Sequence, residues 1–249
     1  MDVATLNNVT RVGNAGGPTV MLAHGFGCDQ QLWHPVAARL REQFDLVLFD
    51  HVGSGNAAPA AWNPDKYALT GYADDVVELV EALDLSDVVL VGHCVAAMIG
   101  ALAVASAPAR FAKLVMITPS PRHIDELLDS LESNYVGWPQ AMAPTIMGNA
   151  DRPELAEDLA ATFCRTDPAA AKVFARATFL SDNRADLESV PIPTLVVDCR
   201  QDAIAPPEVG AYVRDHIPSA RLSTLDATGH CPHVSAPDAT AEVVAAFAG

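Results

Sequence analysis

Apolar residues along the chain fall into two alternating patterns. Short runs rich in β-branched residues are apolar at successive positions: Thr19-Val20-Met21-Leu22-Ala23, Leu46-Val47-Leu48-Phe49, Val88-Val89-Leu90-Val91, Leu114-Val115-Met116-Ile117 and Thr194-Leu195-Val196-Val197. A strand apolar on both faces is one covered on both sides, as in a parallel sheet lying between helical layers. Between these runs, Trp33 to Gln43, Thr70 to Leu83 and Val95 to Ser106 have helical composition and the length for right-handed crossovers. The pattern predicts an α/β fold with a mostly parallel central sheet flanked by helices.

The alternation stops between Pro119 and about Val190, where four helix-like pieces follow one another without a convincing strand. Ile124, Leu127, Leu128, Leu131 and Tyr135 recur at helical spacing and give the first piece one apolar face. Gly148, Pro153 and Pro168 punctuate the later ones. Four consecutive helices fit two-layer packing poorly. Residues 120–189 are therefore expected to form a helical lid inserted into a core made of 1–119 and 190–249.

Composition narrows the class. At 249 residues, 50% hydrophobic and 18% charged, the chain is long enough for one substantial core and unlike a disordered, collagen-like or disulfide-stapled sequence. Fifteen Lys+Arg against thirty-one Asp+Glu leave a net charge of -16, which repels nucleic-acid phosphates and anionic membranes, so neither is expected as a partner. The five cysteines are scattered, with no CxxC pair to suggest a zinc or redox motif. A reducing cytoplasm fits that usage. Met1-Asp2-Val3-Ala4-Thr5 lacks the features of an export signal, and no apolar run reaches the roughly 18 residues of a membrane span.

The candidate chemistry begins at Val88-Val89-Leu90-Val91-Gly92-His93-Cys94-Val95-Ala96-Ala97-Met98, a buried strand, a sharp turn and a small-residue helix. It matches a nucleophile elbow with cysteine at the serine position and Ala96 at the second glycine. A buried cysteine is ordinarily a small hydrophobe. The strand before it and the helix after it favour Cys94 as a nucleophile. Asp202 follows the late strand and is the candidate orienting carboxylate, with Asp198 the competitor at the strand's end. After a further strand-like run, Arg221 to Leu225, comes Gly229-His230-Cys231-Pro232-His233. There His230 is the candidate base, while His233, lacking the preceding glycine, is read as structural or surface.

In that arrangement His230 takes or already holds the thiol proton and later delivers one to the leaving group, while Asp202 fixes its tautomer. The loop Leu22-Ala23-His24-Gly25-Phe26-Gly27-Cys28 follows another buried strand. The backbone N–H groups of Phe26 and Val95 are the expected oxyanion-hole donors, each contributing roughly 3 kcal/mol to transition-state stabilisation. His24 and His93 are read as loop supports. No carboxylate–histidine set has ligand spacing, so no metal or cofactor is expected.

With these residues in place, the chain resembles the α/β-hydrolase superfamily. More narrowly it is similar to RsbQ-type stress-regulatory hydrolases and the plant karrikin and strigolactone receptor hydrolases. The resemblance rests on His24-Gly25-Phe26-Gly27-Cys28-Asp29-Gln30, Phe49-Asp50-His51-Val52-Gly53-Ser54-Gly55, Gly71-Tyr72-Ala73-Asp74-Asp75-Val76, the elbow, Ser120-Pro121 and Gly229-His230-Cys231-Pro232-His233. It implies an α/β-hydrolase fold with a four-helix lid over a deep pocket. It further implies hydrolysis of a small hydrophobic ester, lactone or enol ether, and a regulatory protein partner. Two departures stand out: cysteine replaces the family's serine, and the start of the lid from Pro121 to Tyr135 is shorter.

Three functions follow as expectations. The first is cleavage or rearrangement of a small hydrophobic ester, lactone or thioester through an acyl-cysteine. The second is acyl transfer or cyclisation, because a thioester can pass its acyl group to acceptors other than water. The third is ligand-responsive signalling, as the resemblance implies. Phe26, Trp138, Phe163, Phe174 and Phe179 are candidate pocket residues. Cys28, Cys164, Cys199 and Cys231 are read as packing residues, with Cys28 and Cys231 near the site.

Overall fold

The computed structural model describes residues 2–58, 63, 65–122 and 125–249, with only the backbone at 125–127. Seven strands form one sheet: β1 (Thr10–Gly13), β2 (Thr19–Ala23), β3 (Asp45–Leu48), β4 (Val88–His93), β5 (Phe111–Ile117), β6 (Thr194–Gln201) and β7 (Ala220–Thr228). Their order is β1-β3-β2-β4-β5-β6-β7. β1 pairs antiparallel with β3, and the other neighbours are parallel.

The uninterrupted apolar runs are explained by period-2 alternation between two cores. Met21, Val47, Leu90, Leu114 and Val196 point to one face. Val20, Leu22, Leu46, Val89, Val91, Val115 and Val197 point to the other. The first face is covered by α3 (Leu69–Ala82), with α1 (Val3–Leu6) against it, and α4 (Val95–Ser106), the second by α2 (His34–Leu40) and the helix Pro237–Ala248. α4 is apolar almost all round, as befits a helix packed on the sheet, α3 and the segment before β6. The sequence pattern did not reveal β1: Thr-Arg-Val-Gly is exposed throughout, so the edge strand carries no apolar signature.

Among the described residues four α-helices lie between β5 and β6: α5 (Asp125–Ser133), α6 (Trp138–Met147), α7 (Pro153–Cys164) and α8 (Pro168–Phe179). Each boundary has a local cause. Pro153 and Pro168 open α7 and α8, where a missing N–H costs nothing. Asp167 caps α8 by accepting from the N–H groups of Ala169 and Ala170. Gly148, at φ 64°, ends α6 in the left-handed conformation. Leu128, Leu131 and Tyr135 pack together with Trp138, Phe163 and Phe179. Ile124 and the Leu127 side chain, and with them part of the expected shortened segment, lie outside the described residues.

Polar contacts close and anchor this helical layer. Its ends meet where the Asn183 N–H donates to the Pro121 carbonyl, 2.8 Å, beside a bridge between Arg122 and Asp182. Farther along, Arg165 Nη2 lies 2.7 Å from Oδ2 of the buried Asp29, in the loop after β2.

Candidate active site

The tightest turn in the site is the one at Cys94. The residue has φ 56° and ψ -124°, a conformation that a non-glycine residue adopts only when its surroundings enforce it. The Cys94 N–H donates to the Ile117 carbonyl at 2.9 Å, fixing the bend to the end of β5. Gly92 and Ala96 are small because β4 and α4 nearly touch: a Cβ on Gly92 would fall inside the envelope of the Ala96 carbonyl oxygen. Gly92→Ala is therefore expected to cost about 1–3 kcal/mol of stability, the range for overpacking, and a thermal melt would register it.

His230 comes from the loop after β7 and Asp202 from the loop after β6. The His230 Nδ1–H donates to Asp202 Oδ2 at 2.7 Å. Cys94 is near enough for its charge to act on the imidazole. Burial alone would push the His230 pKa down. The negative charge on Cys94, then the hydrogen bond and charge of Asp202, overcome it and raise the pKa to about 10. For Asp202, burial pushes the pKa up. His230 and the N–H groups of Ala205 and Ile204 bring it below its ordinary value. Those two amides donate to Oδ1 at 3.0 and 2.7 Å, so the carboxylate is held at both oxygens. The carboxylate of Asp202 is thus held on the imidazole through one oxygen and on two backbone amides through the other.

The backbone of His230 is held equally firmly. Its carbonyl accepts from Thr118 Oγ1 and from His93 Nε2, both at 2.9 Å. Its N–H donates to the Ile146 carbonyl in α6, 2.8 Å. Gly229, at φ 94°, packs so closely on the Met147 carbonyl that no side chain fits.

On the opposite side of Cys94, Phe26 and Gly27 occupy a turn closed by a Cys28 N–H to Gly25 carbonyl bond, with Gly27 at φ 72°. Val95 is the first residue of α4, where an N–H has no partner within the helix. His24 braces the same loop: Nδ1–H donates to the Gly25 carbonyl and Nε2 accepts the His51 N–H.

Between these groups and the helical layer lies about 660 Å³ of empty space, mouth included, lined by Cys94, His230, Phe26, Cys28, Cys231, Trp138, Met142, Ile146, Phe163, Phe179 and their neighbours. Among the described lining residues none is Asp, Glu, Lys or Arg. Phe26 anchors the wall, with edge-on contacts to Trp138, Phe163 and Phe179 at 6.2, 5.5 and 5.3 Å between centroids. Trp138 is oriented by its Nε1–H, which donates to Ser130 Oγ at 2.8 Å.

Several expectations need correcting. Phe174 does not line the pocket. It lies behind Phe26, 4.4 Å from the Tyr72 ring in the core beneath α3, because burial of an aromatic does not say which cavity it faces. His233 is structural but not at the surface: it is fully buried between Trp33 and His93, both 4.4 Å away, and burial pushes its pKa well down. Cys164 is exposed rather than packed. Asp198 needs no such correction: the carboxylate ranked behind Asp202 lies inside β6 against Gly210, where burial raises its pKa. Sequence pattern assigns no role to Thr118 or Arg165; Thr118, directly after β5 at a positive φ, supports the His230 carbonyl, and Arg165 reaches Asp29.

Among the described residues no group of three or more His, Cys, Asp or Glu is arranged to hold a metal ion. No helix among them is long and apolar enough to cross a membrane.

Fold and site together define a hydrolase, and the chain belongs to the alpha/beta hydrolase family, whose profile matches residues 20–243. It is 33% identical over 243 residues to the strigolactone esterase D14 of Arabidopsis thaliana, covering 91% of each chain. It is 31% identical to the karrikin insensitive 2 receptor CA of Petunia hybrida, over 97% of this chain and 95% of that one. Among solved structures, a hydrolase from Oleispira antarctica superposes with a TM-score of 0.94 at 38% identity, covering 99% of this chain and 96% of its own. An enol-lactonase from Burkholderia xenovorans LB400 shares the fold at a TM-score of 0.87 and 22% identity, with 96% and 95% covered.

Proposed function

We propose that Cys94, His230 and Asp202 act as nucleophile, acid–base and orienting carboxylate in hydrolysis of a small, uncharged, apolar ester or lactone. The observation that carries this reading is the convergence at the elbow: Cys94 acts on His230, whose Nδ1–H is held by Asp202 at 2.7 Å. The Cys94 sulfur attacks the substrate carbonyl carbon, and the oxyanion that forms faces the N–H groups of Phe26 and Val95. His230 gives its proton to the departing alkoxide, leaving a thioester. It then takes a proton from water, whose oxygen attacks the thioester and releases the Cys94 thiolate. The helices α5 to α8 serve as a lid, and a protein with this sequence has the composition expected in the cytoplasm.

Pocket lining supports the substrate class. An anionic acyl chain would be buried against aromatic and aliphatic side chains with no cation among the described lining residues, a large desolvation cost. A neutral apolar acyl group loses nothing. The experiment is to mix the protein with activated esters and lactones, quench early and measure intact mass with peptide mapping. An adduct on Cys94, absent from Cys94→Ala, is the expected result; turnover with equal rates in both proteins overturns the mechanism.

The imidazolium sets a pH dependence. His230 must hold a proton to expel the leaving group, and its pKa is raised to about 10, so acylation is expected to persist through neutral pH and fall as pH rises through about 10. In Cys94→Ser the negative sulfur, which gives the largest upward push, is gone. The acid form of His230 should then be lost at lower pH, and a pre-steady-state pH profile of the two proteins measures the displacement.

Two other readings have their own tests. The thioester favours acyl transfer wherever an amine or thiol outcompetes water, which product analysis with added acceptors detects. Relatives named as receptors favour a signalling role, which requires a protein partner whose affinity changes with ligand.

A further inference from the structure

Three of the five cysteines, Cys28, Cys94 and Cys231, line one pocket, and the proposed hydrolysis uses only Cys94. Cys28 and Cys231 are 2% and 1% exposed and share a small apolar cluster beneath α6 and α7. Their side chains are within hydrogen-bonding reach of each other, and Cys28 is also within reach of His93. The Cys28 Sγ–H donates to the Phe26 carbonyl oxygen at 3.6 Å. The two thiols belong to the two loops that build the site: Cys28 is two residues beyond Phe26, and Cys231 directly follows His230.

The pair is polarised. The Cys231 thiol, then His93, outweigh burial and bring the Cys28 pKa down to about 6, while Cys28 and burial push that of Cys231 well up. The two sulfurs are thus shifted in opposite directions, Cys28 toward easier and Cys231 toward harder ionisation, the order in which an attacking and a resolving sulfur act.

We propose that Cys28 and Cys231 form an oxidisable dithiol, a modification site for hydrogen peroxide and small organic hydroperoxides, which closes to a disulfide joining the Phe26 loop to the His230 loop. The oxidant reaches the pair through the apolar pocket both residues line. The Cys28 sulfur attacks one peroxide oxygen; the O–O bond breaks, the other oxygen leaves as water or alcohol after protonation, and a sulfenic acid remains on Cys28. The Cys231 sulfur, losing its proton, then attacks the Cys28 sulfur, forms the S–S bond and expels the hydroxyl as a second water. Two thiols are oxidised by two electrons and one peroxide is reduced.

This proposal does not depend on Cys94 being the nucleophile, and its test keeps the two apart. Wild type and Cys94→Ala are exposed to a small excess of hydrogen peroxide, quenched with an alkylating agent, and digested without reduction. A peptide pair joined through Cys28 and Cys231, present in both proteins and absent after dithiothreitol, is the expected result. Recovery of both residues as alkylated thiols overturns the proposal, as does overoxidation of Cys28 without linkage. A disulfide from either residue to Cys94 in wild type also overturns it. Cys28→Ser should abolish the joined peptide; the mapping of wild type decides the matter whether or not that variant folds.

Discussion

Cys94→Ala is expected to lower kcat/KM for a small apolar ester by at least about 10⁴-fold, since removing a nucleophile from a set of groups that act together forfeits nearly all their effect. Alanine fits the site: it is smaller than cysteine and leaves the Ile117 hydrogen bond, made by the backbone, intact. Circular dichroism and thermal melts should match wild type, so lost rate would reflect lost chemistry. Cys94→Ser should retain far more activity than alanine, because serine keeps a hydroxyl beside His230 and the proposed oxyanion hole is main chain. Steady-state hydrolysis of one ester by the three proteins provides the comparison. Equal loss in serine and alanine would show that sulfur itself is required.

The second large effect is expected from Asp202→Asn, a loss of about 10²–10⁴ in kcat with little change in KM. The cause lies in the bonds to Asp202. Oδ1 accepts from Ile204 and Ala205, so an asparagine keeps its oxygen there and turns its NH₂ toward His230. Nδ1 must then accept rather than donate, and the ring proton moves to Nε2, facing Cys94. An imidazole in that state cannot take a proton from the thiol or from water. Because the asparagine oxygen still accepts from the Ile204 and Ala205 N–H groups, folding should be little affected. A pre-steady-state trace would show slow acyl-enzyme formation and slow breakdown together; loss confined to KM would contradict the assigned role.

How much of this was legible in the chain depends on how locally each feature is encoded. The elbow could be read because strand, turn and helix are contiguous, and Gly92, Cys94 and Ala96 carry a steric requirement within five residues. The sheet's covered strands could be read because both faces are buried. β1 could not, since an exposed edge leaves no apolar trace. Asp202 was distinguishable from Asp198 by position after the strand, and it is Asp202 Oδ2 that accepts from His230 Nδ1 at 2.7 Å. Phe174 was misplaced because packing against Tyr72 depends on how α8 meets α3, which no local pattern reports. Arg165 and Asp29 are separated by 136 residues, and nothing near either one announces the other.

The bond from the His230 amide to the Ile146 carbonyl has a consequence for selectivity. Asn149 reinforces it by donating to the Thr228 carbonyl at 2.9 Å, so the end of α6 and the imidazole loop move as one body. A guest too bulky for the chamber would have to lever α6 outward, dragging the proton carrier off its station at the sulfur. Oversized molecules would then be admitted yet left unreacted, so discrimination by girth is exercised on turnover more than on occupancy.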